Sequence, residues 1–205
     1  MTILIDNGHG VETPGKRSPD AVRGLVNSPY YFREYKWCRE VACMVCDLFQ
    51  AEGYDARLLV PEEKDVSLAE RCRRANKFDK HKSILVSIHN NAAGSGRGWL
   101  GARGWSIFTT KGITEADTLA ECIWKRAVKM FRSPLNVRTY SNSQKMGHDW
   151  EENFYILLHS YMPAVLVEHF FQDNKEDVKY LNTDRAKAEC AEVIVEGVKD
   201  YLKGR

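Results

Sequence analysis

The chain has 205 residues, 43% of them hydrophobic and 28% charged, a globular composition with enough apolar material for a sizeable core. Its formal charge of +2 is too near balance to make nucleic acid a principal partner. No run approaches the roughly 20 apolar residues that cross a bilayer, so no membrane insertion is expected.

The opening MTILIDNGHG reads as a β-type run over residues 3–6 that gives way to His9 between two glycines. From Glu34 to Glu52, Trp37, Val41, Val45 and Leu48 fall at helical spacing. YDARLLV (54–60) is a strand. SLAERCRRANKF (67–78) begins with Ser67 and Glu70 at capping-box spacing and sets Leu68, Cys72 and Ala75 on one helical face. SILVSI (83–88) and GWSIFTT (104–110) are strands. Thr114 to Phe131 is a helix carrying Leu119, Ile123, Ala127 and Met130. AVLVE (164–168) is the last strand, and Asp184 to Leu202 the last helix, with Cys190, Ile194, Val198 and Tyr201.

Strands alternating with helices predict an α/β fold, a mostly parallel sheet covered on both faces. No linker or repeat interrupts it, so residues 1–205 are expected to form one domain. The stretches 7–31, 90–103 and 133–153 are long and irregular, as functional loops often are. Six cysteines at 38, 43, 46, 72, 122 and 190 lie mostly within helical patterns and are expected to be reduced. Cys43 and Cys46 form a C-x-x-C, but no second pair follows at zinc-ribbon spacing.

His9, His89 and Glu168 each follow or end a predicted strand, so parallel strands would gather them at one edge of the sheet. Glu34 precedes Trp37, Val41 and Val45 at helical intervals and shares their buried face. A buried carboxylate is costly unless something positive meets it. Two histidines and a carboxylate are what a catalytic zinc takes, with one position open for water. Singly, each residue also has a plain reading as a loop hydrogen-bonder, a first-turn carboxylate or a cap. Residue patterns alone therefore reach a metal or carboxylate site and no further.

The segments resemble the zinc-dependent N-acetylmuramoyl-L-alanine amidases, the type 3 amidase family of cell-wall hydrolases. ILIDNGHG is similar to that family's opening strand and D-P-G-H-G turn. VSLAERCRRANK resembles a segment with recurring Ser-Leu, Arg and Ala-Asn. LVSIHNNAA resembles its S-I-H-x-N-A element, and AVLVEHFFQDN its last strand. The resemblance runs nearly end to end and implies a twisted mixed sheet of about six strands. It also implies that His9, Glu34 and His89 bind Zn2+, with Glu12 and Glu40 as alternative ligands, and that Glu168 is the catalytic base. The implied reaction is hydrolysis of the amide between N-acetylmuramic acid and L-alanine in peptidoglycan; a zinc peptidase cutting within the stem peptide and a non-catalytic wall-binding domain are the alternatives. Two departures stand out: Asn7 replaces the usual turn proline, and His169-Phe170 replace a small hydroxyl residue and a glycine.

Asp6 and Asn91 are expected to orient the histidines. Arg97, Trp99 and Arg103 are candidates for substrate contact, with Tyr140 and Trp150 as further groove aromatics and Trp105 expected in the core. His148, His159 and His169 have no assigned role. A monomer is expected. The start carries no export signal, which predicts cytoplasmic synthesis and endolysin-like release, with export by a removed signal as the alternative.

Overall fold

Strands β1 (Thr2–Asn7), β2 (Asp55–Leu58), β3 (Ser83–Asn91), β4 (Ser106–Thr109), β5 (Trp150–Glu151) and β6 (Ala164–Phe171) form one six-stranded mixed sheet in the order β2-β1-β3-β6-β4-β5. The structure, a computed structural model, describes residues 1–140 and 147–204. β2, β1, β3 and β6 run parallel, β4 is antiparallel to β6, and β5 runs parallel to β4. Among the described residues, seven helices flank the sheet: α1 (Pro19–Val22), α2 (Glu34–Ala51), α3 (Leu68–Ala75), α4 (Glu115–Met130), α5 (Tyr155–Leu158), α6 (Lys175–Leu181) and α7 (Asp184–Lys203).

Strand alternation divides the apolar side chains between two cores. Ile3, Ile5, Ile84, Val86, Ile88, Val165 and Val167 pack on one face with Trp37, Val41, Val45, Ile123, Ile194 and Val198 from the long helices. Leu4, Leu85, Leu166 and Phe108 pack on the other with Cys72, Ala75, Ile156 and Leu157. Gly197 lets α7 lie against α4, because a Cβ there would come within 2.5 Å of Ile123 Cα. Hydroxyl caps start several helices: Ser67 accepts from the Glu70 N–H, Thr183 from the Ala186 N–H, and Thr114 forms a full capping box with Asp117. The Glu70 carboxylate takes Arg73 and Arg74 instead of closing a box.

Several expectations shift. β3 runs three residues past its predicted end, so His89 lies within the strand, and β6 likewise continues past Glu168 to Phe171. Leu48 is 43% exposed, and the buried Phe49 takes its place in the α2 stripe. Leu68 is 49% exposed, while Cys72 and Ala75 of the same face are buried. The short elements β5, α1, α5 and α6 carry too few residues for a periodic signal. The C-x-x-C cysteines are free, as are the other four.

Candidate metal centre

The β1 strand delivers its last residue, Asn7, beside Ile88 of β3. Gly8 then lies under the His89 imidazole, where a Cβ would come within 2.3 Å of Cε1, so only glycine lets the two chains approach. His9 follows with φ of 64°, a left-handed backbone that a side-chain-bearing residue adopts at some cost. What holds it there is Arg71 from α3, 2% exposed. Its guanidinium donates to Asp6 Oδ1 (2.6 Å), the Asn7 carbonyl (2.7 Å), the His9 carbonyl (3.1 Å) and Asp65 Oδ1 (3.2 Å). Asp6 is fixed in turn by the Ser87 hydroxyl at 2.6 Å. Asp6 thus acts on His9 through Arg71 and the backbone, not by touching a ring.

Glu34 enters from the opposite side as the first residue of α2, 1% exposed, with its N–H donating to the Lys16 carbonyl. The three side chains close a nearly equilateral triangle. His9 Nε2 and His89 Nδ1 are 3.2 Å apart, and Glu34 Oε1 is 3.1 Å from the first and 3.2 Å from the second. Tetrahedral bonds of about 2.0–2.1 Å set ligand atoms about 3.3 Å apart, so the triangle has the size that zinc requires. His9, Glu34 and His89 are the group among the described residues that could hold a metal ion. The electrostatics suit a cation. Burial alone would raise the Glu34 carboxyl, but hydrogen bonds from His89 and His9 hold it well below the usual carboxylate range. Burial pulls His9 down against the opposing pull of Glu34, which favours the neutral imidazole that ligates metals.

Glu168 stands directly across from His89 on β6 and across from Ser106 on β4. Its Oε2 is buried with no hydrogen-bond partner among the described residues, and burial followed by the nearby Glu34 charge pushes its carboxyl well above the ordinary value. A cavity of about 220 Å³ opens beside His9 and His89, walled by Asp65, Val66, Ser67 and Leu68. That accounts for the exposure of Leu68.

Two residues brace Glu34 without having been foreseen. The Gln172 side-chain amide donates to Glu34 Oε2 at 2.9 Å, and the Asn90 N–H donates to Oε1 at 3.1 Å. Asn91, expected to orient a histidine, instead accepts from the Ala92 N–H and touches neither ring. The Asn90 contact is made by its main chain, while its side chain donates to the His169 carbonyl and accepts from the Cys38 thiol. For Gln172 no local signal exists, since its partner lies 138 positions away. Arg71 sat in the sequence as one more charge of a basic helix.

The turn after Glu168 is strained where a glycine was expected. Phe170 has φ of 63° at the register shift between β3 and β6, held by edge contacts with Phe131 and Tyr180, each at 5.1 Å. His169 is fully buried against Trp37 (5.3 Å) and Trp105 (6.3 Å), with neither ring nitrogen hydrogen-bonded among the described residues and its pKa lowered by burial to about 3. It is a core residue, as is Trp105.

Other expected contacts fall elsewhere. Glu12 accepts from the Asp65 N–H and Glu40 pairs with Lys187, so neither joins the triangle. Arg103 donates to the Pro134 carbonyl at 2.9 Å and lies 3.6 Å from Asp177, which commits its charge. Trp99 donates to Asp20 and stacks edge-on against Tyr30, within the loop wall. Arg97 is exposed, and its carbonyl accepts from Arg23. His148 stacks on Trp124 at 3.6 Å and bonds Glu121; His159 packs on Tyr155.

Comparison with known proteins gives the family. A family model described as N-acetylmuramoyl-L-alanine amidase matches residues 3–200. The chain is 26% identical over 203 residues to the "Probable cell wall amidase LytH" of Staphylococcus epidermidis, covering 98% of this chain and 58% of that protein. It is 24% identical over 202 residues to the endolysin of Bacillus phage SPP1, covering 98% of this chain and 65% of the endolysin. The crystal structure of an N-acetylmuramoyl-L-alanine amidase from Clostridium difficile 630 superposes with a TM-score of 0.76 at 25% identity, over 100% of this chain and 97% of the other. The chain therefore spans somewhat over half the length of the first two relatives.

Proposed function

The chain belongs to the N-acetylmuramoyl-L-alanine amidase family, and from that premise we propose that it is a zinc enzyme that hydrolyses the amide between N-acetylmuramic acid and L-alanine in peptidoglycan. The observation that carries this reading is the triangle of His9, Glu34 and His89, with sides of 3.1–3.2 Å, beside Glu168, whose Oε2 is buried with no hydrogen-bond partner among the described residues. His9, Glu34 and His89 would hold the zinc, which would supply Lewis acidity toward the scissile carbonyl and lower the pKa of water toward neutrality.

The protein's own groups do the rest. Glu34 brings the one negative charge of the ligand set, braced at both oxygens by Asn90 and Gln172. Glu168 takes a proton from the attacking water and returns it to the departing nitrogen, so that the products are a muramoyl carboxylate and a peptide with a free L-alanine amine. A raised pKa suits this double duty, because the carboxyl must hold the proton between the two transfers. No covalent intermediate is needed, and the buried, neutral thiols have no part in the step.

The site of action follows from the substrate. One relative is named an endolysin and another a cell wall amidase, and this chain is proposed to work on the wall, reached either by endolysin-like release or by export. No helix of the described residues is long and apolar enough to cross a membrane. Mass spectrometry of digested peptidoglycan tests the reaction: new amino termini on L-alanine are expected. Cuts further along the stem peptide, or no cuts at all, would replace the amidase reading by a peptidase or a binding domain.

A further inference from the structure

Arg138 lies with its guanidinium between two aromatic rings. Its Cζ is 5.0 Å from the Trp150 ring centre and 5.1 Å from that of Phe171. Arg71, Arg74, Arg103 and Arg126 each have a carboxylate within 4.0 Å, whereas no carboxylate among the described residues pairs with Arg138. Its main chain is pinned: the N–H donates to the Trp105 carbonyl at 2.7 Å, and its carbonyl accepts from Trp150 Nε1 at 3.4 Å.

The position of this residue gives meaning to a cation that has no carboxylate partner among the described residues. His89, Glu168 and Ser106 are register partners on β3, β6 and β4. Val137 bridges to Trp105, the residue before Ser106, and so extends the sheet by one more strand spacing. Trp150 packs with Phe108 and Leu166, on the face that strand alternation gives to Ser106 and Glu168. Arg138 therefore sits on the Glu168 face, about two strand spacings or roughly 10 Å from the Glu168 backbone. An extended peptide covers about 3.3–3.6 Å per residue, so the gap matches about three residues.

We propose that Arg138 is a substrate-binding residue that takes a carboxylate of the peptide, within about three residues of the scissile amide. The proposal rests on the amidase reading. The two rings hold the guanidinium by cation–π attraction and fix its plane, so little side-chain freedom is lost when an anion binds. Its N–H edges remain for a two-pronged contact with a carboxylate, stronger than a contact between neutral groups. Of the two arginines that the sequence offers as candidates for substrate contact, Arg97 and Arg103, the latter is already engaged by Asp177.

The test uses two soluble muramoyl peptides that differ only in bearing a free carboxylate or a carboxamide two residues from the scissile amide. The unaltered protein is expected to favour the carboxylate by about tenfold to a hundredfold in kcat/KM, through KM. Arg138→Gln should bring the ratio near one, by raising KM for the carboxylate substrate about tenfold to a hundredfold. If Arg138→Gln does not fold, Arg138→Lys decides, because it keeps the charge and loses the planar fork; most of the preference should vanish. Equal cleavage of both substrates by the unaltered protein, or a full preference in whichever variant folds, overturns the Arg138 assignment and leaves the amidase reading intact. If the unaltered protein cleaves neither substrate, the amidase reading itself fails. Calorimetric titration with the synthetic stem peptide then still reports on Arg138: weaker binding by the variant supports the contact, and equal binding removes it.

Discussion

His89 and Glu168 are direct register partners on the neighbouring parallel strands β3 and β6. The sheet alone therefore sets a ligand-type imidazole and a carboxylate one strand spacing apart, about 4.8 Å between backbones. Substituting the carboxylate should separate chemistry from assembly. Glu168→Gln is expected to keep the fold and bound zinc while kcat falls by about 10²–10⁴, the usual worth of a general acid–base group. Turnover measured beside zinc content checks this, and near-normal turnover would remove Glu168 from the reaction.

Gln172 donates to the Glu34 oxygen that faces away from the histidines. Gln172→Leu frees that oxygen and lets the carboxylate rotate. Zinc affinity should fall about tenfold to a hundredfold, as for other residues that orient metal ligands. Competition with a chromogenic chelator reads this directly. Unchanged affinity would mean that Asn90 alone fixes Glu34.

Arg71 neutralises the buried Asp6 and ties down the backbone of Asn7 and His9. Arg71→Met strands a buried carboxylate and should cost about 3–5 kcal/mol of unfolding free energy. Adding Asp6→Asn to it should recover part of that loss, because the charge left unpaired is then gone. Urea unfolding of the single and double variants measures both effects. Equal stability of the two would contradict the ion-pair explanation.

His169 gives the fold a pH dependence of known sign. Burial lowers its pKa from about 6.5 to about 3, so below pH 6.5 the unfolded chain binds a proton that the native state refuses. Its contribution is complete above pH 6.5 and is lost as the pH falls toward 3, with a slope that approaches about 1.4 kcal/mol per pH unit. His169→Phe should flatten the acid limb of a plot of stability against pH by that amount. An unaltered limb would mean that the imidazole is not held neutral.

The sequence revealed those parts of the structure that depend on regular spacing. Strand ends announced His9, His89 and Glu168, and the helical phase of Trp37, Val41 and Val45 put Glu34 on a buried face. Contacts made by long side chains across the fold left no such mark. Arg71 reaches residues 62–65 positions away and Gln172 one 138 positions away. The Asn90 contact comes from a main-chain N–H, about which side-chain patterning carries no information. Leu68 carries an apolar side chain on an apolar face, yet it lines the cavity beside the histidines instead of the core. The left-handed backbone at His9 and Phe170 also escapes sequence rules, because tertiary packing imposes it against local preference.

The central claim concerns three side chains and one cation, and the zinc-to-protein ratio of the purified chain tests it most directly. The unaltered protein, prepared without added metal and measured by inductively coupled plasma mass spectrometry, should carry about one zinc per chain, and Glu34→Ala almost none. A full equivalent of zinc retained by Glu34→Ala, or no zinc taken up by the unaltered protein even when it is supplied, would contradict the account.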